Sequence, residues 1–163
     1  MVYLSRFYGL NEVADYWEQI VYMNDWQRKR IFKLVNSKLF GTLTNKKLAI
    51  FGFAFKANTN DTRESPSIDI SKDLLIESAE IAVFDPKVDK SQIFKDLSSH
   101  SKDGNIHVCK NEFEAANESD AIIVLTEWHD FQITDWREIY SRMRKPAWIF
   151  DTRAYLDKKY LKK

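Results

Sequence analysis

The sequence predicts an α/β chain: a long N-terminal helix followed by a Rossmann-like, doubly wound parallel sheet of about five strands. Two observations carry this expectation. From Lys46 onward, short continuous apolar runs alternate with helix-like stretches, and unbroken apolar strands belong to parallel sheets covered on both faces. Before that, residues 1–40 contain one glycine and no proline, and apolar side chains recur at helical spacing. The length agrees. A chain of 163 residues, 44% hydrophobic, suits one domain with an appended helical segment and can bury a core without disulfides or metal. The expected division is a helical segment over 1–44 and a sheet domain over 45–163.

Val13, Trp17, Ile20, Asn24, Ile31 and Val35 mark a helix from about 11 to 40. Asn11 suits its N-cap, Glu12 and Asp15 suit its first turn, and Gly41 suits its stop. Tyr16, Trp17, Tyr22, Trp26, Phe32 and Phe40 are too many aromatics for one helix face. Such a helix needs cover on more than one side, from a second subunit or from further chain. After it the spacing predicts strands at 48–51, 81–84, 106–108, 121–125 and 147–150. Helices are expected at 68–76, with Ser67 near the N-cap, and at 91–97, 112–116, 136–143 and 156–161. Ligands of open parallel sheets bind at the carboxyl ends of the strands. Here those ends carry Gly52 to Ser67, Asp85-Pro86, Thr126-Glu127-Trp128 and Asp151-Thr152-Arg153.

Composition removes several function classes. Lys plus Arg is 25 against 24 Asp plus Glu, a net charge of +1, so no basic excess recruits nucleic acid. Cys109 is the one cysteine, which rules out an internal disulfide framework and a cysteine-rich zinc site. His100, His107 and His129 are scattered without metal-ligand spacing, so no metal is expected. Mean hydropathy is −0.46, and no apolar run approaches the roughly 18 residues of a membrane span. The first residues lack the cationic and apolar pattern of a secretory signal. A cytoplasmic setting is the expectation.

The loop after the first strand holds one glycine, Gly52, where a dinucleotide fingerprint needs three. It sets Lys56 and Arg63 near a helix N-terminus, a favourable place for phosphate. The alternative is that both are solvated loop cations paired with Asp61 and Glu64. Arg153, past the last strand, either forks onto a phosphate or pairs with Asp151. Asp85 occupies the place of a ribose-binding acid, yet an Asp before proline more often caps a turn. Cys109 beside His107 is a candidate thiol and base, against a half-buried structural cysteine. Asn24, inside the apolar stripe of the helix, is either a site residue or a register-setting polar position.

Together the strings are more specific. Phe55-Lys56-x-x-Thr59-x-Asp61-x-Arg63-x-Ser65-Pro66 resembles a signature of the UDP-glucose/GDP-mannose dehydrogenase family, and the UDP-glucose dehydrogenases within it most closely. Asn24-Asp25-x-Gln27, Phe84-Asp85-Pro86-Lys87, Thr126-Glu127-Trp128-x-x-Phe131 and Phe150-Asp151-x-Arg153 resemble the same family's central helix and strand ends. The resemblance covers the chain to residue 153 or beyond. It implies a C-terminal portion: a central dimer-forming helix over 1–44 and a UDP-sugar-binding domain over 45–163. It implies Phe55, Lys56 and Arg153 as contacts to UDP-glucose or a related UDP-sugar, and Arg63 as a contact to NAD. It also implies a homodimer through the long helix. The family oxidises the sugar C6 alcohol to a carboxylate with two hydride transfers to NAD, using a cysteine just before the central helix. Cys109 does not match that position, and no Gly-rich turn is present, so no catalytic residue is expected here. Thr152 and Ala154 also depart from the neighbours expected around Arg153. The implied function is the UDP-sugar-binding part of an oxidoreductase, inactive alone. The alternatives are a stand-alone UDP-sugar-binding or assembly module, and a subunit completed in trans.

Overall fold

A computed structural model describes residues 1–98 and 104–157. Helices α1 (Val2–Phe7) and α2 (Asn11–Lys38) precede the alternating part. That part runs β1 (Lys47–Phe51), α3 (Pro66–Ile76), β2 (Glu80–Phe84), α4 (Lys90–Leu97), β3 (Ile106–Val108), α5 (Glu112–Ala116), β4 (Ala121–Val124), α6 (Asp130–Ile133), α7 (Trp136–Arg142) and β5 (Trp148–Asp151). The five strands form one sheet in the order β3-β2-β1-β4-β5, and every pairing is parallel. The α/β, Rossmann-like expectation therefore holds. The order reverses between β1 and β4, which makes their carboxyl ends the switch point where a crevice opens.

Strands β1 and β4 are the most buried. Leu48, Ala49, Ile50 and Phe51 of β1 and all four residues of β4 have no exposed surface. The Phe51 ring meets Phe131 at 5.1 Å and Trp136 at 5.9 Å between centroids, which seats α6 and the start of α7 on the sheet. Helices α2, α3 and α4 pack in one series, and α5 packs on β1, β2 and α7. At the amino ends of the strands Asp120 accepts from Lys47 N at 2.8 Å and pairs with Lys46 and Arg144. That end is closed by backbone and ion pairs.

Several boundaries differ from the sequence reading, each for a local reason. Leu10, not Asn11, occupies the N-cap of α2, because the Leu10 carbonyl already accepts from Ala14 N. The helix stops at Lys38, and Phe40 and Gly41 both take positive φ beyond it. The N-cap of α3 is Ser65, whose Oγ accepts from Ser67 N with Pro66 in the first helical turn. The Ser67 hydroxyl instead donates to Gly52 O. Helices α1 and α6 were not anticipated; both are shorter than two turns. Of the expected closing helix at 156–161, residues 156–157 are not helical and the rest lies outside the described residues.

Helix α2 behaves as two halves. Val35 is buried, and Ile31 and Phe32 pack against the core. Tyr16, Tyr22 and Trp26 are each more than half exposed. Arg28 joins this helix to α3, with Nη1 donating to Asp69 Oδ2 at 2.6 Å and Nη2 to Glu64 O at 3.4 Å.

Gly52 closes the switch point. Its φ is +89°, and a Cβ there would lie 2.4 Å from Thr126 Cβ and 2.8 Å from Thr126 N. Thr126 cannot yield, because its Oγ1 donates to Ala54 O at 2.7 Å. Gly52→Ala should therefore cost about 2–5 kcal/mol, the sum of left-handed backbone strain and overpacking. Gly41→Ala, at similar φ but in open space, should cost only about 1–2 kcal/mol. Urea unfolding midpoints compare the two, and equal losses would contradict the close approach.

Candidate functional site

The site is built on a carboxylate that binds protein rather than ligand. Asp85, at the end of β2, places Oδ2 2.7 Å from Phe53 N, 3.0 Å from Ala54 N and 3.1 Å from Trp128 Nε1. Its Oδ1 accepts from Lys87 N at 2.8 Å and Val88 N at 2.9 Å. The turn-capping alternative is correct and incomplete: the same side chain ties the ends of β1 and β4 to β2. Five donors occupy the carboxylate, so it has no capacity left for a ribose.

With those ends fixed, the loop after β1 is held from both sides. Ser65 Oγ donates to Phe53 O at 2.8 Å, and Phe55 N donates to Asp61 O at 2.8 Å. The loop brings Phe55 to Arg153. Arg153 Nε donates to Leu125 O at 2.8 Å, and Nη2 reaches Phe55 O at 3.5 Å. The alternative of an ion pair with Asp151 is not found among the described residues: Asp151 Oδ1 accepts from the Arg153 backbone N–H instead. The ionic partner is Glu127, whose Oε2 lies 3.3 Å from Nε. Ala154, flagged as a departure, takes φ +52°, and Thr152 Oγ1 donates to Val124 O.

Phe55 and Arg153 line a cleft of about 390 Å³ with Leu125, Thr152 and Pro66 on the sheet side. Its opposite wall is α2, through Asn24, Gln27, Arg28 and Ile31. The structure thus brings together Phe55, Arg153 and Asn24. It does not bring Lys56 or Arg63 to that cleft. Lys56 is exposed and makes no hydrogen bond or ion pair among the described residues. Arg63 has 88% of its side chain exposed and grips Asp61, with Nε to Oδ1 at 2.9 Å and Nη2 to Oδ2 at 2.7 Å. The Arg63 side chain and backbone N–H hold the Asp61 carboxyl down from its usual 3.8 to about 2.

Cys109 is half-buried, and burial with the nearby Glu114 carboxylate pushes its thiol up to about 11. Its Sγ contact is the His107 carbonyl at 3.9 Å, and the His107 ring turns to Glu80 Oε1 at 3.3 Å. The pair is no thiolate–imidazole couple. Among the described residues no group of three or more His, Cys, Asp or Glu could hold a metal, and no helix is long and apolar enough to cross a membrane. The first turn does not fit a dinucleotide either. Its ribose acid is spent on backbone, and Ser65 caps the N-terminus of α3.

Sequence reasoning missed three parts of this site. The sequence places Glu127 at a strand end without giving it a partner, does not show the Asp85–Trp128 link, and offers only Asn24 of the α2 wall. The signal was present, since Thr126-Glu127-Trp128 gathers three polar side chains at a strand end in a crevice.

Comparison with known proteins adds the family context. Residues 49–158 match the family model described as "UDP-glucose/GDP-mannose dehydrogenase family, UDP binding domain". The UDP-glucose 6-dehydrogenase of Caenorhabditis elegans is 45% identical over 99% of this chain and 34% of its own length. That of Bos taurus is 46% identical over 96% of this chain and 33% of its own. This chain therefore spans about a third of the length of these relatives. A solved UDP-glucose dehydrogenase from Pyrobaculum islandicum superposes with a TM-score of 0.70 at 21% identity, over 83% of this chain and 29% of that one. That likeness supports the fold.

Folded Asp61 titrates below its usual value, so its pair with Arg63 contributes fully above pH 3.8 and is lost as pH falls through about 2. Arg63→Ala should move the Asp61 titration up toward 3.8. Carboxyl-carbon NMR reads this directly, and a midpoint still at about 2 would show that the guanidinium is not the cause.

Proposed function

The chain belongs to the UDP-glucose/GDP-mannose dehydrogenase family, and we propose that it is the UDP-sugar-binding part of an NAD-dependent UDP-glucose 6-dehydrogenase. The reaction proposed for the whole protein is oxidation of UDP-glucose to UDP-glucuronate by two hydride transfers to NAD. The observation that carries this reading is the cleft at the switch point, where Arg153 and Phe55 meet inside the segment that matches a UDP binding domain. A forked guanidinium suits a diphosphate, and a half-exposed aromatic beside it suits a ring. Phe55, Lys56 and Arg153 are proposed as substrate contacts. Lys56, with no hydrogen bond or ion pair among the described residues, is the least anchored cation of the three.

This chain by itself is proposed to be non-catalytic. Its cysteine is held protonated, and a thiol with a raised pKa is a poor nucleophile. Arg63 is proposed as a cation toward a phosphate of NAD bound by other residues, since the turn beside it does not fit that cofactor. To serve there it must leave Asp61, an exchange between exposed partners that costs little. The setting is proposed to be cytoplasmic.

The exposed aromatics on the first half of α2 support self-association through that helix. A homodimer is the proposed state. Light scattering at micromolar concentration should give twice the mass of one chain, and a strict monomer would count against the helix as its interface.

Calorimetric titration with UDP-glucose, with NAD as control, tests the ligand. Saturable UDP-glucose binding without NAD binding is expected. Arg153→Ala should weaken it by roughly 10- to 100-fold, the worth of a charge-assisted hydrogen bond. An Arg153→Ala chain that keeps its fold and binds as tightly as the parent would remove Arg153 from the site.

A further inference from the structure

We infer that Glu127 is a positioning residue for Arg153, a carboxylate that sets which edge of the guanidinium faces the cleft. The inference rests on the reading above, in which Arg153 meets an anionic ligand. It starts from an oddity. Glu127 Oε2 is buried and accepts no hydrogen bond among the described residues; its partner is Arg153 Nε, 3.3 Å away. A carboxylate beside an anion-binding arginine opposes the anion, and a buried carboxylate oxygen costs free energy unless paired. Something must offset both.

The atoms involved identify what does. An acid competing for the arginine would take the two Nη atoms, the fork that matches a carboxylate or phosphate. Glu127 instead stands at Nε, beside the Leu125 carbonyl that accepts from the same nitrogen at 2.8 Å. Nη2 has only the long contact to Phe55 O at 3.5 Å, and Arg153 lines the cleft. The forked end is therefore uncommitted while the Nε edge is fixed at the end of β4.

Glu127 is itself held in place. Thr126 Oγ1 donates to Ala54 O, Trp128 Nε1 donates to Asp85 Oδ2, and Trp128 N donates to Thr126 O. Both neighbours are buried, so the backbone carrying Glu127 cannot swing away. Orienting a flexible side chain before the ligand arrives removes part of the entropy cost of binding.

Two variants and two readouts test this. Glu127→Gln keeps an oxygen at Nε without the charge, and Glu127→Ala removes both. With UDP-glucose as the calorimetric probe, Glu127→Ala should bind about 3- to 5-fold more weakly, the upper range of an ion pair at a partly exposed site. Glu127→Gln should stay within about threefold of the parent. Tighter binding in both variants would overturn positioning and make Glu127 a competitor. Unchanged binding in both would also overturn it. The second readout needs no ligand. The Arg153 Nε–H resonance should be sharp in the parent and in Glu127→Gln, and broadened by exchange in Glu127→Ala. An equally sharp resonance in Glu127→Ala overturns the inference even if UDP-glucose fails to bind the parent, a failure that would count against the functional reading instead.

Discussion

Everything at the carboxyl edge of this sheet depends on how Asp85 distributes its two oxygens. Parallel strands end with backbone N–H groups pointing past the last ladder bond, and buried N–H groups without partners cost about 1–3 kcal/mol each. One carboxylate meets this demand for two separate segments, taking Phe53 N and Ala54 N from the loop after β1 and Lys87 N and Val88 N from its own turn. The indole of Trp128 adds the loop after β4. The three strand ends are thereby fixed relative to one another. Gly52 and Thr126 can then approach more closely than any side chain at position 52 would allow.

The same arrangement explains why the three loop cations are not equivalent. Arg153 is anchored through Nε to a β4 carbonyl and reaches a β1-loop carbonyl, so it inherits the rigidity of the strand ends. Arg63 is fully in solvent and tied to a residue two positions away; such a pair is local, screened and easily exchanged. Lys56 makes no hydrogen bond or ion pair among the described residues and acts only through its charge on Asp61. A rigid cation can define a binding pose. A loosely held one can only follow a ligand already in place. This ordering gives Arg153 the anchoring part in the proposed site, with Lys56 following the same ligand and Arg63 the proposed NAD phosphate.

The strands and their parallel, doubly covered setting were legible because burial on both faces leaves a continuous apolar run, as in Ala121 to Val124. The cap of α3 was displaced by two residues because Ser65 and Ser67 are both good caps, and only the tertiary demand of the Gly52 carbonyl decides between them. The Arg153 partner is not among the alternatives the sequence offers, for a similar reason. Asp151 is nearest in sequence, but its oxygens are taken by the backbone N–H groups of Arg153 and Leu156. The true partner lies on another strand end, and no local pattern encodes a distance across the sheet.

Helix α2 ties these points together. Its second half is core, with Val35 buried and Ile31 packed inward, while its middle supplies Asn24, Gln27 and Arg28 to the cleft. Arg28 is braced on Asp69 and on the Glu64 carbonyl, at the start of α3 and the end of the β1 loop. The cleft therefore has one wall fixed by the sheet edge and the other fixed to α3. Asn24, polar within an apolar stripe, makes sense in this geometry: it lies where the helix leaves the core and turns its face to the cleft. The stripe before it, with Tyr16 and Tyr22 exposed, has no cleft to serve and no core to enter. The proposed self-association would cover that apolar surface and stiffen the helix that walls the cleft.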